Sequence, residues 1–196
     1  MAFNAYLVIH PSAKIFGEST SSPEPGVTRD MGAIEVTDYG FGVSMAVSSS
    51  RSDGGGATVG RANFDVFTAS KGIDTATPYL FMYCCKGTAI QSIVLHLYRA
   101  GDSSATGVVK YAMVVFQWCV ITKVAITGGG EELPKESMEF NYGKCEYIYQ
   151  ETDHNTGIKT SRALDRFGWS TIKNQQDFPL QKDFAKFVPE DAKQDK

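Results

Sequence analysis

The sequence predicts a mainly β protein, a small antiparallel β-barrel of two packed sheets with one short α-helix. Apolar residues recur mostly with a period of two, as expected for strands with one buried face. Clusters of Gly, Pro, Ser and Asp bound these runs and favour turns. Two of the runs change the parity of their apolar residues part-way along, which indicates β-bulges that bend sheets into barrels.

Length and charge limit the classes of function. The 196 residues are enough to bury one hydrophobic core and do not require a second. Lys and Arg number 19 against 22 Asp and Glu, so no cationic surplus favours nucleic acid as a partner. The opening MAFNAYLVIHPSAK lacks the features of a signal peptide, and no apolar run is long enough for a membrane-spanning helix. We therefore expect a chain made without a secretion signal and without membrane insertion.

The N-terminal elements follow from this alternation. Residues 4–9 are predicted to form a first strand, and the polar, Gly- and Pro-containing residues 11–29 a surface loop. Residues 34–47 alternate as one long strand, with a phase slip near Asp38 that indicates a bulge. The Ser- and Gly-rich residues 48–60 then lead to a strand over 62–70. This order predicts a hairpin with a long, mobile loop.

One helix is predicted, over residues 77–87. Thr77 is a suitable cap, Pro78 suits the first helical position, and Gly87 follows the basic Lys86. The apolar run LFMYCC leaves little room for a solvent-facing side, so the helix is expected to plug or cover one end of the barrel. On this interpretation the adjacent Cys84 and Cys85 belong to the core.

The C-terminal half is predicted to be a meander of antiparallel strands over 90–99, 108–118, 120–127 and 136–150. The last of these strands changes parity around Gly143, which indicates a second bulge. Residues 1–174 are expected to form the barrel domain, and the charged residues 175–196 a mobile tail. Alternatively, the tail's three aromatic residues dock on a neighbour; these are Phe178, Phe184 and Phe187.

No catalytic, metal or cofactor site is expected. The four cysteines match no disulfide framework or zinc spacing and are expected to be reduced thiols. The three histidines, His10, His96 and His154, lack a supporting motif, and His96 is typical of a buried strand residue. The glycine runs at 54–56 and 128–130 lack the context of phosphate loops, and Glu131 and Glu132 diverge in an extended chain.

Aromatic strand residues leave one binding alternative open. Trp118, Tyr142, Tyr147 and Tyr149 have rings that can stack on sugars or bases. At alternating strand positions, however, such rings are more often core or subunit contacts. We favour packing.

Several segments together resemble the haemolysin-coregulated protein (Hcp) family of type VI secretion. They span residues 1–174 in family order: MAFNAYLVI (1–9), GEST (17–20), IEVTDYGFGVSM (34–45), TPYLFMYCCKG (77–87), IVLHLYRAGD (93–102), LPKESMEFNYGK (133–144) and GWSTIKN (168–174). The sequence departs from the family pattern in a longer loop at 23–30 and in the tail after Asn174.

The resemblance implies a tube subunit rather than an enzyme. It implies that copies of the chain close into hexameric rings, which stack into the inner tube of a contractile machine with sheath, spike and baseplate components. It also implies assembly in the cytoplasm, expulsion from the cell, and small effector proteins carried in the ring's lumen. A stand-alone secreted effector and a small-ligand-binding β-barrel, or small enzyme using Cys84 or the tyrosines, are the alternatives.

Long loops at both ends of the barrel suit ring-on-ring stacking. By position, residues 11–29 and 48–60 are the candidate stacking loops. Within the second, the candidate residues are Ser50, Arg51, Asp53, Gly54, Gly55 and Gly56.

Overall fold

The computed structural model of the chain describes residues 3–19, 32–47, 59–100, 108–130, 132–153 and 164–177. This part of the chain contains one α-helix, α1 (Thr77–Lys86), and a short 3-10 helix at Pro11–Ala13. Its strands are β1 (Phe3–Ile9), β2 (Ile34–Val36), β3 (Asp38–Gly40), β4 (Val43–Val47), β5 (Val59–Phe64), β6 (Phe67–Gly72), β7 (Ile90–Ala100), β8 (Val108–Gly129), β9 (Glu132–Asn141), β10 (Lys144–Tyr149), β11 (Asp165–Ser170) and β12 (Gln175–Gln176).

Two antiparallel sheets share the long strand β8. One has the strand order β12-β11-β10-β8-β7-β1-β2, and the other the order β3-β6-β9-β8. The N-terminal half of β8 pairs with β7 and β10, and its C-terminal half with β9. Inward-facing side chains of both sheets form one core. The mainly β barrel of two packed sheets with one helix is therefore confirmed.

Residues 34–47 form three strands, so the prediction of one bulged strand is wrong. Strand β2 pairs with β1 in the first sheet, β3 with β6 in the second, and β4 with β5. Between β2 and β3, the Thr37 backbone N–H and hydroxyl both donate to the Ser70 carbonyl, at 2.8 and 3.1 Å. The change of parity near Asp38 therefore marks the passage of the chain from one sheet to the other.

The parity change near Gly143 also has a different cause from the predicted bulge. Gln117 pairs with Lys144 and Val120 with Asn141, so two residues of each strand lie between these pairs and neither strand has an extra one. Trp118, opposite the β9–β10 junction, has a positive φ of 58°. Strand β8 is thus continuous where two strands were predicted, and it bends together with its partner at matching positions.

An aromatic cluster fills the middle of the core. The rings of Phe67 and Phe140 stack with centroids 4.5 Å apart, and Phe116 meets both rings edge-on at 5.1 and 5.3 Å. All three side chains are fully buried. Offset-stacked and edge-to-face pairs add about 0.5–1.5 kcal/mol each to the free energy of burial. This cluster joins β6, β8 and β9 across the barrel.

The helix begins and ends as predicted, but its start is held differently. Ala76 is the N-cap residue, and its backbone N–H donates to Asp74 Oδ1 at 3.0 Å, so Thr77 does not cap. Gly87 adopts the left-handed conformation (φ 60°) that ends helices, as expected. Ala76 and Leu80 reach the core. The prediction of a helix with little exposed side is wrong, because Tyr79, Phe81 and Met82 all remain exposed.

Candidate assembly surface

The predicted stacking residues Ser50, Arg51, Asp53, Gly54, Gly55 and Gly56 lie outside the described residues, as do residues 20–29 of the other candidate loop. The strands on either side of the first loop are described and form a hairpin, as predicted, but the single strand predicted over residues 62–70 is two strands, β5 and β6, in different sheets. Strands β4 and β5 pair antiparallel from Val43↔Phe64 to Val47↔Val59. Residues 48–58 therefore connect two strand ends that are held side by side.

The β4–β5 hairpin pairs with no other strand in the described part of the chain. The side chains of Val43 and Met45 are 55% and 47% exposed. A two-stranded ribbon is marginally stable alone in water, and its unpaired edges and apolar side chains are suited to contact with another chain. Residues 43–46 of β4 are all exposed, and we take this hairpin as the candidate assembly surface.

Two anchors hold the hairpin against the barrel, one at its base and one further along β5. The Tyr142 hydroxyl donates to the Asp65 carbonyl at 3.1 Å, and the Tyr142 ring meets Phe64 edge-on. Arg61 Nη2 donates to the carbonyls of Thr171 and Ile172 in the turn after β11. A polar cleft of about 450 Å³ lies between the hairpin base and these groups.

An apolar groove of about 230 Å³ lies on the other side of the hairpin base. It is lined by Phe41, Gly42, Val43, Phe64, Val114, Tyr142, Cys145, Tyr147 and Phe167. Its walls come from the β3–β4 and β9–β10 links and from five strands, which are β4, β5, β8, β10 and β11. None of the lining residues carries a charged side chain at neutral pH, so the groove suits an apolar group.

The two histidines in the described part of the chain, His10 and His96, lie at structural positions. His10 Nδ1 lies 2.8 Å from the Ser12 hydroxyl at the start of the 3-10 helix. His96 is fully buried on β7, opposite Tyr6 and Met113 in the register, as expected for a strand residue. His154 lies outside the described residues. Within the described ranges, no group of three or more His, Cys, Asp or Glu side chains is placed to hold a metal ion.

The four thiols are free but differ in environment. Cys119 and Cys145 are buried, and burial raises the pKa of both, that of Cys145 to about 11. These two thiols are therefore protonated near neutral pH and poor nucleophiles. The prediction that Cys84 and Cys85 belong to the core is wrong for Cys85, which is exposed, and holds in part for Cys84, which is partly buried and packs against the core.

A buried ionic cluster at the start of α1 was not predicted. Lys71 Nζ lies 2.6 Å from Asp74 Oδ1 and 3.3 Å from Glu136 Oε2. The Thr77 hydroxyl donates to Glu136 Oε2 and accepts from Lys71 Nζ. The sequence holds a signal for it: Lys71 has the parity of the buried Phe67, and Glu136 that of the buried Phe140. The cluster ties the helix to β6 and β9.

The aromatic binding candidates are mainly packing residues. Tyr142 is buried in the core, and Tyr147 and Tyr149 pack against it. Tyr147 also lies 6.5 Å from the Phe41 ring. Trp118 lies at the bend of β8, beside Gly143. A Cβ atom built on Gly143 would lie 3.2 Å from the Trp118 Cβ, so the two residues are in close contact.

Comparison with known proteins gives a consistent result. The family model described as "Type VI secretion system effector, Hcp" matches residues 6–149. Protein hcp1 of Pseudomonas aeruginosa is 28% identical over 117 residues, which cover 59% of this chain and 69% of that protein. In the part of the chain that the structure describes, no helix is long and apolar enough to cross a membrane.

Solved structures share the fold. A structure titled "Structure of a type six secretion system protein" has a TM-score of 0.75 and 22% identity, covering 90% of this chain and all of that one. Hcp1 from Salmonella typhimurium has a TM-score of 0.65 and 20% identity, with the same coverage. A type VI secretion system effector from Yersinia pestis has a TM-score of 0.61 and 20% identity, covering 85% of this chain and 98% of that one.

Proposed function

Because the chain belongs to the Hcp family of type VI secretion system proteins, we propose that it is a tube subunit. Six copies close into a ring, and rings stack into the hollow inner tube that the machine expels. Hcp proteins are secreted and form tube assemblies of this system. The proposal assigns no catalytic step to any residue, and the function lies in self-association.

The β4–β5 hairpin, which pairs with no other strand in the described part of the chain, is the observation that supports this proposal most. A ring with stacked neighbours needs a surface that contacts a different surface of the next copy. The hairpin offers exposed apolar side chains at Val43 and Met45, and unpaired strand edges, which are suited to such a contact. We assign ring-to-ring contact to the loop it carries, at residues 50–56, and the barrel itself to residues 1–174.

Further partners follow from the same proposal. The tube is surrounded by the sheath and joined to spike and baseplate components, and its lumen holds small effector proteins. Assembly takes place in the cytoplasm, and export requires no signal peptide. Gln175 and Gln176 pair with β11 as β12, so the sheet extends two residues beyond the predicted boundary at Asn174, and residues 178–196 of the predicted tail lie outside the described residues.

Deleting Ser50–Gly56 and closing the hairpin with an Asn-Gly turn tests the assignment of the loop. We expect rings of unchanged mass, since Asn-Gly supports a two-residue hairpin and preserves the stem. Tube formation and secretion are expected to be lost. Native mass, electron microscopy of the rings and the amount of exported protein are the measurements. A control chain with the loop replaced by an equally long Gly-Ser segment separates loop length from loop sequence. Unchanged tubes and export in the deletion variant would contradict the assignment.

The apolar groove is the one observation that favours a second function, a small-ligand-binding barrel. Its volume of about 230 Å³ and its aromatic walls suit a small apolar molecule. This alternative expects a stable monomer that binds an apolar fluorescent dye with one-to-one stoichiometry. A ring without dye binding would exclude it.

A further inference from the structure

We infer that Arg61 is a positioning residue, which holds the β4–β5 hairpin at one angle to the barrel so that it meets a second copy of the chain correctly. The inference rests on the proposed function for the importance of that angle. The contacts that fix the angle lie within one chain. They are therefore open to measurement whether or not copies assemble.

Arg61 is tied to a rigid part of the barrel. Its Nη2 atom donates to the Thr171 carbonyl and, at 3.4 Å, to the Ile172 carbonyl. Thr171 is itself fixed, because its backbone N–H donates to the Gly143 carbonyl at 2.9 Å and its hydroxyl lies 2.9–3.0 Å from the carbonyls of Tyr142 and Gly143. The planar guanidinium suits two adjacent acceptors. The hairpin is thus connected to the β9–β10 junction through Thr171.

A second anchor lies closer to the barrel, at Asp65. Its carbonyl accepts from the Tyr142 hydroxyl at 3.1 Å, and its backbone N–H donates to the Gly42 carbonyl at 3.0 Å. Asp65 lies four positions after Arg61, which is about 13 Å along an extended strand. A hairpin held at Asp65 alone can pivot about its base. The contact of Arg61 with the Thr171 carbonyl removes that freedom.

The angle matters because the exposed apolar side chains belong to the hairpin. Val43 and Met45 lie on β4, so a rotation of the hairpin about its base changes the direction in which they face another copy. A head-to-tail contact closes only at one relative rotation of its partners. If the assembly-competent angle is populated only in part, the apparent affinity falls in proportion to that fraction.

Arg61 contributes little to the free energy of unfolding, so an effect of its substitution on assembly can be distinguished from a loss of stability. Its side chain is exposed, and exposed polar contacts of this kind add little to the free energy of unfolding. The apolar core and the buried cluster at Lys71 lie elsewhere. Substituting Arg61 is therefore expected to change assembly while the unfolding transition stays in place.

Assembly of R61Q, R61K and Y142F is the first test. For R61Q we expect rings of normal mass, an unfolding midpoint in urea close to that of the unmodified chain, and a protein concentration for tube formation that is up to about fivefold higher, the factor for an exposed contact worth at most about 1 kcal/mol. R61K is expected to restore part of the lost tube formation, because its ammonium can donate to one carbonyl but lacks the planar guanidinium that suits two adjacent acceptors. Y142F, which loses the other anchor, is expected to shift the concentration in the same direction. The control K123Q, which breaks the exposed ion pair with Glu139, is expected to behave as the unmodified chain.

The hairpin angle itself is the second readout. Spin labels at positions 45 and 86, in a chain with its four native cysteines replaced by Ala, report the distance between hairpin and helix. We expect one narrow distribution in the unmodified chain and a broader one in R61Q. If the unmodified chain forms no rings, the proposed function fails, and this distribution alone decides the positioning role. If rings and tubes form and R61Q equals the unmodified chain in both readouts, the inference about Arg61 is overturned while the proposed function stands.

Discussion

Replacing Lys71 by Met is expected to lower the free energy of unfolding by about 3–5 kcal/mol. Lys71 and Glu136 are 1% and 0% exposed, and Lys71 Nζ is the cation that contacts both Glu136 and Asp74. Without the ammonium, the Glu136 carboxylate stays buried with no compensating charge from Lys71. Folded domains are stable by only about 5–15 kcal/mol, so this loss is a large part of the total.

Urea unfolding of K71M, beside a matched surface variant, measures this effect. Lys123 and Glu139 form an exposed pair at 2.7 Å on neighbouring strands, so K123M removes the same charge outside the core. K123M is expected to lower the free energy of unfolding by at most about 1 kcal/mol. The double variant K71M/E136L is expected to recover much of the stability that K71M loses, because a buried pair replaced by apolar side chains leaves no charge unpaired. Equal costs for K71M and K123M would contradict the role of the cluster.

Replacing Phe140 by Ala is expected to lower the free energy of unfolding by about 3–5 kcal/mol. The Phe140 ring is fully buried and contacts the rings of Phe67 and Phe116. Its removal loses the transfer free energy of the ring and leaves a cavity between three strands, which a barrel held by continuous hydrogen bonds cannot easily close.

The matched comparison is F167A, which removes the same side chain from a position that is 45% exposed. Because only about half of the Phe167 ring is buried, F167A is expected to lower the free energy of unfolding by about 1 kcal/mol. F140L, which retains most of the apolar volume, is expected to cost less than F140A. Both effects are measured by urea unfolding with an unchanged denaturant slope. A cost for F140A no larger than that for F167A would show that the aromatic cluster is not the centre of the core.

The strand content could be predicted because a half-buried strand must repeat its apolar residues every two positions. The same pattern could not separate a bulge from two other events. At Asp38 the chain passes between sheets, and at Gly143 two paired strands bend together. Each event moves the apolar residues to the other parity. Only the pairing partners, which are distant in sequence, distinguish the three.

The helix shows the limit of composition. Its apolar run suggested a buried element, yet Tyr79, Phe81 and Met82 are exposed because only one side of α1 meets the barrel. Lys71 and Glu136 show the opposite error. Their charge suggests exposed positions, yet both are buried and alternate in phase with the buried residues of their strands. Charge and apolarity describe a side chain, whereas burial depends on what the rest of the chain brings next to it.

The candidate assembly surface was predictable in part. The Ser- and Gly-rich run between two alternating segments located the hairpin, and the described stem agrees. The groove and the anchor at Arg61 were not predictable, since Arg61 meets Thr171, which is 110 residues away in sequence. A contact of that range has no local signal.

The native mass of the purified protein in reducing buffer tests the central proposal most directly, with negative-stain images of the same fraction. The proposal predicts a species of six times the 21.4 kDa mass of one chain, seen as rings with a central channel. A single-chain mass that persists as the protein concentration rises, with no rings in the images, would contradict it.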